Sequence, residues 1–351
     1  MLQAVAAAET VRGRTSPNPW VGAVVVPADL NDPNDPSDPT DPEVFIGATA
    51  PAGGPHAEVS ALTAAGPRAE GSTLYVTLEP CAHQGRTPPC TDAILASGVR
   101  RVVVGIEDPD PQVSGRGIAA LRQAGIEVEV GAEAGAGTGM GAAAGRVTDQ
   151  LAAYTHHRRT GRPWVVLKLA STLDGRIAAP DGSSRWITGE AARADAHRLR
   201  ARSDAVLVGA GTVRADDPSL TVRLPDDDPD YRSADEQPLR VVLGRAPAGA
   251  AVLPALELDG EVTTVLDALG QRGVLQLLVE GGAGVAHAFH AAGLVDRYVL
   301  YLAPALFGGD DARPLFAGPG APTLDGLWRG TIVSTTNLEG DLRVELSPPR
   351  V

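Results

Sequence analysis

The sequence predicts an α/β fold in two domains. Three observations predict it. Short β-branched runs alternate with segments of helical period along the chain, the pattern of sheets flanked by helices. The length, 351 residues, is long for one core and suits two. Residues 131–145 are Gly and Ala except for one Thr, one Met and one Glu. So poor in core-forming side chains, they mark the seam between domains at residues 1–145 and 146–351.

Composition narrows the class. Charged residues are 21% and hydrophobics 43%, which excludes a disordered chain. Aromatics are 4%, so small aliphatics must fill the cores. A net charge of −13 argues against a nucleic-acid partner, whose phosphates would be repelled. A phosphate on a small substrate must then be met by a few placed arginines. Residues 1–15 carry Glu9, Arg12 and Arg14 and lack a long apolar stretch, so no secretory leader is expected. No window holds the roughly eighteen apolar residues of a membrane span. The two cysteines are both assigned to a metal below, which fits a reducing cytoplasm.

Residues 2–12 have apolar positions at helical spacing and open the chain as a helix. Pro17 and Pro19 then hold the backbone extended around Asn18. As a turn residue Asn18 needs no function; as a binding residue its amide both donates and accepts toward a heterocycle's edge. Residues 21–26 form a strand. Residues 31–42 are four x-Asp-Pro triplets, a solvated polyproline-type loop at a hairpin tip rather than a metal site, because nothing fixes the carboxylates. The pattern continues as strand 44–46, helix 56–65, strand 73–78, helix 90–97 stopped at Gly98, strand 99–106, helix 118–124 and strand 126–130. This alternation predicts a three-layer α/β/α sandwich.

Residues 54–90 carry the chemistry. His56, Cys81 and Cys90 offer one imidazole and two thiolates, and a catalytic zinc takes three such ligands and leaves a fourth position open. Glu58 stands two residues after His56, close enough to exchange protons with a water there. Two cysteines can also be plain buried hydrophobes, and a closed structural site would recruit His83. The presence of both cysteines and a His-x-Glu in one segment favours the catalytic reading.

Residues 80–90 read P-C-A-H-Q-G-R-T-P-P-C, with eight residues between the cysteines where the general base-deaminase signature has two. This stretch resembles, throughout, the P-C-x-H-x-G-[KR]-T-P-P-C motif of the bifunctional deaminase/reductase of riboflavin biosynthesis. That family's P-N-P-x-V-G motif is also intact around Asn18. The resemblance implies a cytidine-deaminase-like domain that hydrolyses the amino group of 2,5-diamino-6-(5-phosphoribosylamino)pyrimidin-4-one, with Asn18, His83 and Arg86 on the substrate. Thr49 stands near where the family carries a substrate-facing histidine.

The second half repeats the alternation. Residues 164–169 are a strand through Lys168, followed by A-S-T-L-D-G-R-I-A, then S-R-W-I-T at 184–188 and a helix bearing Arg193, Arg198 and Arg200. Strands follow at 205–208, 240–243, 275–280 and 295–302, and 343–346 closes the sheet. Residues 225–237 read as an acidic surface loop. The glycines at 281–284 join a strand to an Ala-rich helix and could seat a phosphate on backbone N–H groups, although such turns also serve only packing. They are not G-x-G-x-x-G.

L-K-L-A-S-T-L-D-G, W-I-T, G-A-G-T, A-D-D-P-S-L-T-V-R and V-E-G-G resemble the same family's reductase domain, which implies a dihydrofolate-reductase-like, Rossmann-like fold. On that resemblance NADPH meets Ala170, Trp186, Thr212, Asp216 and the turn Gly281, Gly282, Ala283, Gly284, Val285, Ala286, His287 and Ala288. Substrate meets Ser184, Arg200, Leu220, Arg223 and Glu280. Lys168 would polarise the substrate, and Asp216 would orient cofactor and sugar. Without the resemblance, each arginine is an ordinary surface charge and Trp186 a core filler. Arg245, after the strand 240–243, is a candidate for the cofactor's 2′-phosphate. Zn2+ and NADPH are thus the implied cofactors, a phosphorylated pyrimidine the substrate, and a homo-oligomer the assembly. Two other readings compete: a cytidine- or tRNA-adenosine-type deaminase with an unrelated C-terminal domain, and a zinc-stapled, non-catalytic nucleotide-binding module.

Overall fold

The computed structural model describes residues 1–28, 44–111, 113–133 and 138–349. The Asp-Pro triplets at 31–42 lie outside the described residues. The chain divides into two compact units, Met1–Thr160 and Gly161–Val351.

The first unit is built on a five-stranded sheet in the order β2-β1-β3-β4-β5. Its strands are β1 (Gly22–Val26), β2 (Phe45–Ala48), β3 (Thr73–Leu78), β4 (Arg101–Ile106) and β5 (Glu127–Val130). β1 runs antiparallel to both neighbours, and β3, β4 and β5 are parallel. The helices are α1 (Leu2–Glu9), α2 (Ala57–Ala65), α3 (Cys90–Ala96), α4 (Arg116–Gln123), α5 (Gly139–Gln150) and α6 (Ala152–Thr160).

Two glycines show why helices cover both faces. A Cβ on Gly22 would meet the Ala4 carbonyl of α1 at 1.9 Å, and one on Gly47 would meet the Ala57 carbonyl of α2 at 2.3 Å. Gly22 pairs with Ala48 and Gly47 with Ala23, so the two glycines face opposite sides of the sheet. α1 and α2 therefore sit on opposite faces, as an α/β/α sandwich requires.

The seam expected after residue 145 falls inside α5. Thr138 caps that helix by accepting from the Gly141 N–H at 3.0 Å. Ala143, Ala144 and Val147 are buried along it. Alanine is the best helix former, so a Gly/Ala segment with one apolar stripe makes a packed helix rather than a linker. α6 extends the first unit to residue 160.

The second unit carries an eight-stranded sheet in the order β10-β9-β8-β11-β6-β12-β15-β14. These are β6 (Trp164–Thr172), β8 (Ala205–Gly209), β9 (Leu239–Leu243), β10 (Leu256–Leu258), β11 (Gln276–Val279), β12 (Arg297–Ala303), β14 (Thr331–Leu338) and β15 (Asp341–Ser347). Strands from β10 to β12 are parallel, and β15 and β14 are antiparallel additions. The strand expected to close the sheet, β15, is internal; β14 is the edge. β7 (Arg176–Ala178) and β13 (Arg313–Pro314) form a separate two-stranded ribbon. The helices are α7 (Glu190–Ala201), α8 (Ala210–Asp216), α9 (Val262–Gly270) and α10 (Ala283–Ala291).

β11 inserts between β8 and β6, so the carboxyl ends of β8 and β11 lie side by side. In open parallel sheets ligands bind at such ends. The acidic segment 225–237 is a surface loop, as expected, and it is pinned by ion pairs. Asp228 accepts from Arg198 at 2.8 Å, Asp230 from Arg202 at 3.0 Å, and Arg232 is buried. No helix among the described residues is long and apolar enough to cross a membrane.

Candidate active sites

In the first unit, β3 runs into Glu79, Pro80 and Cys81 at its carboxyl end. α2 begins at His56, its N-cap, and α3 begins at Cys90. Two helix starts and one strand end thus converge. His56 Nδ1 lies 3.2 Å from Cys90 Sγ and 3.7 Å from Cys81 Sγ. The three donor atoms all fall within 4.8 Å of one another, and among the described residues no fourth His, Cys, Asp or Glu joins the cluster. His83 lines the cavity beside them but stays outside the ligand set. One imidazole, two sulfurs and no fourth protein ligand fit a zinc that keeps an open position.

The electrostatics suit a cation. The hydrogen bond from Cys90 pulls the Cys81 thiol down to about 4, while the same shared proton and burial push Cys90 up. The Cys90 N–H, at the start of α3, also donates to Cys81 Sγ at 3.3 Å. Glu58 is 4% exposed. Burial raises its carboxyl to about 7.

The surrounding frame is anchored by Glu79. Its buried carboxylate accepts from the N–H groups of Asp108, Gly115, Gly117 and Ile118 at 2.8–3.2 Å. That fixes the strand end that delivers Cys81 against the start of α4. A cavity of about 180 Å³ opens over the site, lined among others by Asn18, Thr49, Glu58, His83, Asp108, Tyr154 and Arg158. Asn18 is placed by its turn, its N–H donating to the Thr15 carbonyl at 2.9 Å. Thr49 is buried, with its hydroxyl on the Val21 N–H at 3.1 Å. Arg86 is exposed on the loop between the cysteines and does not line the cavity.

Sequence reasoning missed Asp108 and Tyr154. The Tyr154 hydroxyl donates to the Asp108 carboxylate at 3.1 Å, and burial lifts Asp108 to about 6. The D-P-D-P run directly after β4 was an available signal for Asp108. Tyr154 lies on α6, a helix that was not expected.

In the second unit, Glu280 directly follows β11, with a side chain 7% exposed. Arg200 grips it with two bonds, Nε to Oε1 at 2.5 Å and Nη2 to Oε2 at 3.0 Å. Lys168 Nζ stands 3.6 Å from Oε2. Burial alone would raise this carboxyl, but Arg200 and Lys168 together bring it down to about 2. A cavity of about 540 Å³ joins Lys168, Ser184, Trp186, Arg200, Thr212, Asp216, Leu220, Arg223 and Glu280. Leu220 is buried with a φ of 55°, a left-handed conformation rare for leucine. The Arg223 guanidinium donates to the Ser219 and Thr221 hydroxyls at 2.8 and 3.2 Å.

A second cavity of about 410 Å³ shares Ser184, Thr212 and Asp216 with the first. Its walls are Gly209 and Gly211 at the start of α8 and Gly282, Ala283, Gly284 and Val285 at the start of α10. The Thr212 hydroxyl accepts from the Gly282 N–H at 3.1 Å, tying the two helix starts together. A Cβ on Gly281 would lie 2.5 Å from the Val285 Cβ, so the tight turn excludes side chains there. The first-turn N–H groups of α10 lack intrahelical acceptors and face an anion favourably. This fits the phosphates of a dinucleotide.

Not every expected residue reaches this cavity. Ala286 is fully buried, Ala288 packs on the core, and His287 packs beside Gly318. Ala170 packs against the other core. They shape α10 and β6 instead of lining the cavity. Arg245 is also elsewhere employed, 3.1 Å from Glu257 and 3.2 Å from Asp259.

Comparison with known proteins bears on both sites. Residues 1–106 match the family model "Cytidine and deoxycytidylate deaminase zinc-binding region", and residues 163–342 match "RibD C-terminal domain". The chain is 38% identical to the riboflavin biosynthesis protein RibD of Bacillus amyloliquefaciens, covering 99% of this chain and 95% of that one. It is 44% identical to RibD of Mycobacterium tuberculosis over 85% of this chain and 82% of the relative. A solved RibD from Acinetobacter baumannii superposes with a TM-score of 0.85 at 36% identity, covering 99% and 98% of the two chains. The diaminohydroxyphosphoribosylaminopyrimidine deaminase/5-amino-6-(5-phosphoribosylamino)uracil reductase of Thermotoga maritima gives 0.82 at 33% identity, covering 99% and 97%.

Proposed function

This chain belongs to the RibD family of riboflavin biosynthesis, and on that premise we propose where each of its two reactions takes place. It is a bifunctional enzyme, a zinc-dependent deaminase and an NADPH-dependent reductase acting on phosphorylated pyrimidines. The two competing readings give way: both halves match the one family, over nearly the whole chain.

Deamination is assigned to His56, Glu58, Cys81 and Cys90. The single observation that carries this is a three-donor cluster with a buried carboxylate two residues from its histidine. His56, Cys81 and Cys90 would hold the zinc, which when bound would supply the Lewis acidity that lets water ionise near neutrality. Glu58, raised to about 7, is poised to take a proton from that water and return it to the departing ammonia. Asn18 offers its amide to the edge of the ring, and His83 borders the same cavity. Arg86, on the exposed loop between the cysteines and outside the cavity lining, is assigned to the part of the substrate that extends beyond the cavity, its phosphate.

Reduction is assigned to the cluster of Lys168, Arg200 and Glu280. NADPH, when bound, supplies the hydride for C1′ of the ribose. Lys168 faces the substrate cavity and provides the proton that the ring oxygen needs as the sugar opens. Glu280 holds Lys168 and Arg200 in place as paired cations. Asp216 and Thr212 border both cavities, where cofactor and sugar must meet. Ser184, Leu220 and Arg223 line the substrate side, and Trp186, expected at the cofactor, borders this same cavity with the Arg193 guanidinium 4.7 Å from its ring centre. The domains follow the two compact units, with the deaminase ending at residue 160.

A cytoplasmic homo-oligomer belongs to the same proposal. β14 is an edge strand with Ile332 62% and Val333 48% exposed, an unprotected apolar edge of the kind that invites pairing. Sedimentation at the mass of one chain would reject it.

The test is a two-channel assay. The full chain, given the diaminopyrimidine substrate and NADPH, is expected to release ammonia and consume nicotinamide absorbance in equal amounts. A chelator should stop both when the starting substrate is supplied, and should leave NADPH consumption intact when the deaminated intermediate is supplied. Silence in both channels from a zinc-loaded protein would reject the assignment.

A further inference from the structure

The nucleotide cavity has one positively charged side chain among its described lining residues, and it was not foreseen from the sequence. That residue is Arg313, on β13. The cavity has two kinds of wall. One holds the starts of α8 and α10, with their backbone N–H groups. The other is the β7–β13 ribbon and the loop after it, through Ile177, Ala178 and Gly182.

Arg313 belongs to the second wall. It pairs in register with Ala178, so its backbone is fixed to the cavity's rim. Its preceding residue, Ala312, is 2% exposed. Arg176 of β7 anchors the same segment, donating to the Ala312 and Gly309 carbonyls at 3.0 Å each. A Cβ on Gly182 would stand 3.5 Å from Arg313 Nη2, so the guanidinium lies over bare backbone that leaves it room. Arg313 makes no ion pair among the described residues, whereas Arg176 is committed to carbonyls and Arg245 to two carboxylates.

We propose that Arg313 is a phosphate-binding residue of the dinucleotide site, closing on the cofactor from the face opposite the α10 N-terminus. An anion in this cavity meets N–H groups on one side and a planar, always-charged donor on the other. Guanidinium matches a phosphate's two oxygens at once, which an ammonium does not. The shared chemistry is a phosphate ester, and the cofactor offers two sources, its pyrophosphate and its 2′-phosphate. This rests on the reading that the cavity takes NADPH.

The experiment measures binding without turnover. Full-length wild-type, Arg313→Ala and Arg313→Lys proteins are titrated by calorimetry with NADPH and with NADH, in the absence of pyrimidine. Arg313→Ala is expected to weaken NADPH by about 10–100-fold, the size of a lost charge-assisted contact. Arg313→Lys should recover part of that loss. An equal loss for NADPH and NADH assigns the contact to the pyrophosphate, and a loss confined to NADPH assigns it to the 2′-phosphate. Unchanged nucleotide-free thermal unfolding excludes misfolding; if Arg313→Ala unfolds, Arg313→Lys decides. Wild-type affinity in a folded Arg313→Ala protein overturns the proposal. Failure of the wild type itself to bind NADPH would instead overturn the cofactor reading beneath it.

Discussion

Replacing Glu58 with glutamine is expected to slow ammonia release about a thousand-fold, the middle of the range for a lost general acid–base group. The side chain is buried 4% exposed at the first turn of α2, so an isosteric amide fits the same space. It cannot accept a proton from water. Supplying the deaminated intermediate should bypass the block, and NADPH consumption should then run at the wild-type rate. That second arm distinguishes lost proton transfer from lost folding. Ammonia release within a few-fold of wild type would show that another base does this work.

The second large effect is expected at Glu280. Its carboxylate sits between Arg200 and Lys168 with a side chain 7% exposed. Glu280→Gln leaves two cations facing a neutral amide, and breaking a buried pair in this way costs about 3–5 kcal/mol. Reduction should fall below detection while deamination persists. The pH dependence gives an independent sign. The native carboxyl, at about 2, is lower than the ordinary 4.5. Its contribution is therefore full above pH 4.5 and is lost as pH falls toward 2, on the order of 3 kcal/mol in all. In denaturation between those pH values, wild type should lose stability and Glu280→Gln should lose less. Parallel pH profiles for the two proteins would contradict the pairing.

The metal cluster was legible because its residues are rare and local. Only two cysteines exist, and they flank one loop after a strand of β-branched residues whose limits, Thr73–Leu78, match the expectation. Pattern was enough there. It was not enough at residues 131–145, where small residues looked like a linker. Ala143, Ala144 and Val147 are buried because α5 packs closely, and close packing is what small residues permit. The acidic run at 225–237 is the surface loop expected, but its ion pairs were not legible. Its aspartates find Arg198 on α7 and Arg202 just past its end, some thirty residues away, and such pairing leaves no local trace. β14 was missed although T-I-V-S-T-T has the β-branched composition of a strand. Arg245 looked free for a phosphate because Glu257 and Asp259 lie on and just past β10, a strand the sequence did not reveal.

Metal content tests the account most directly. Purified wild-type protein, dialysed against metal-free buffer, should hold about one zinc per chain, and Cys90→Ala, which removes one of three ligands, should hold far less and release no ammonia. A Cys90→Ala protein that kept its full zinc and its deamination would place the metal, and the chemistry, somewhere other than His56, Cys81 and Cys90.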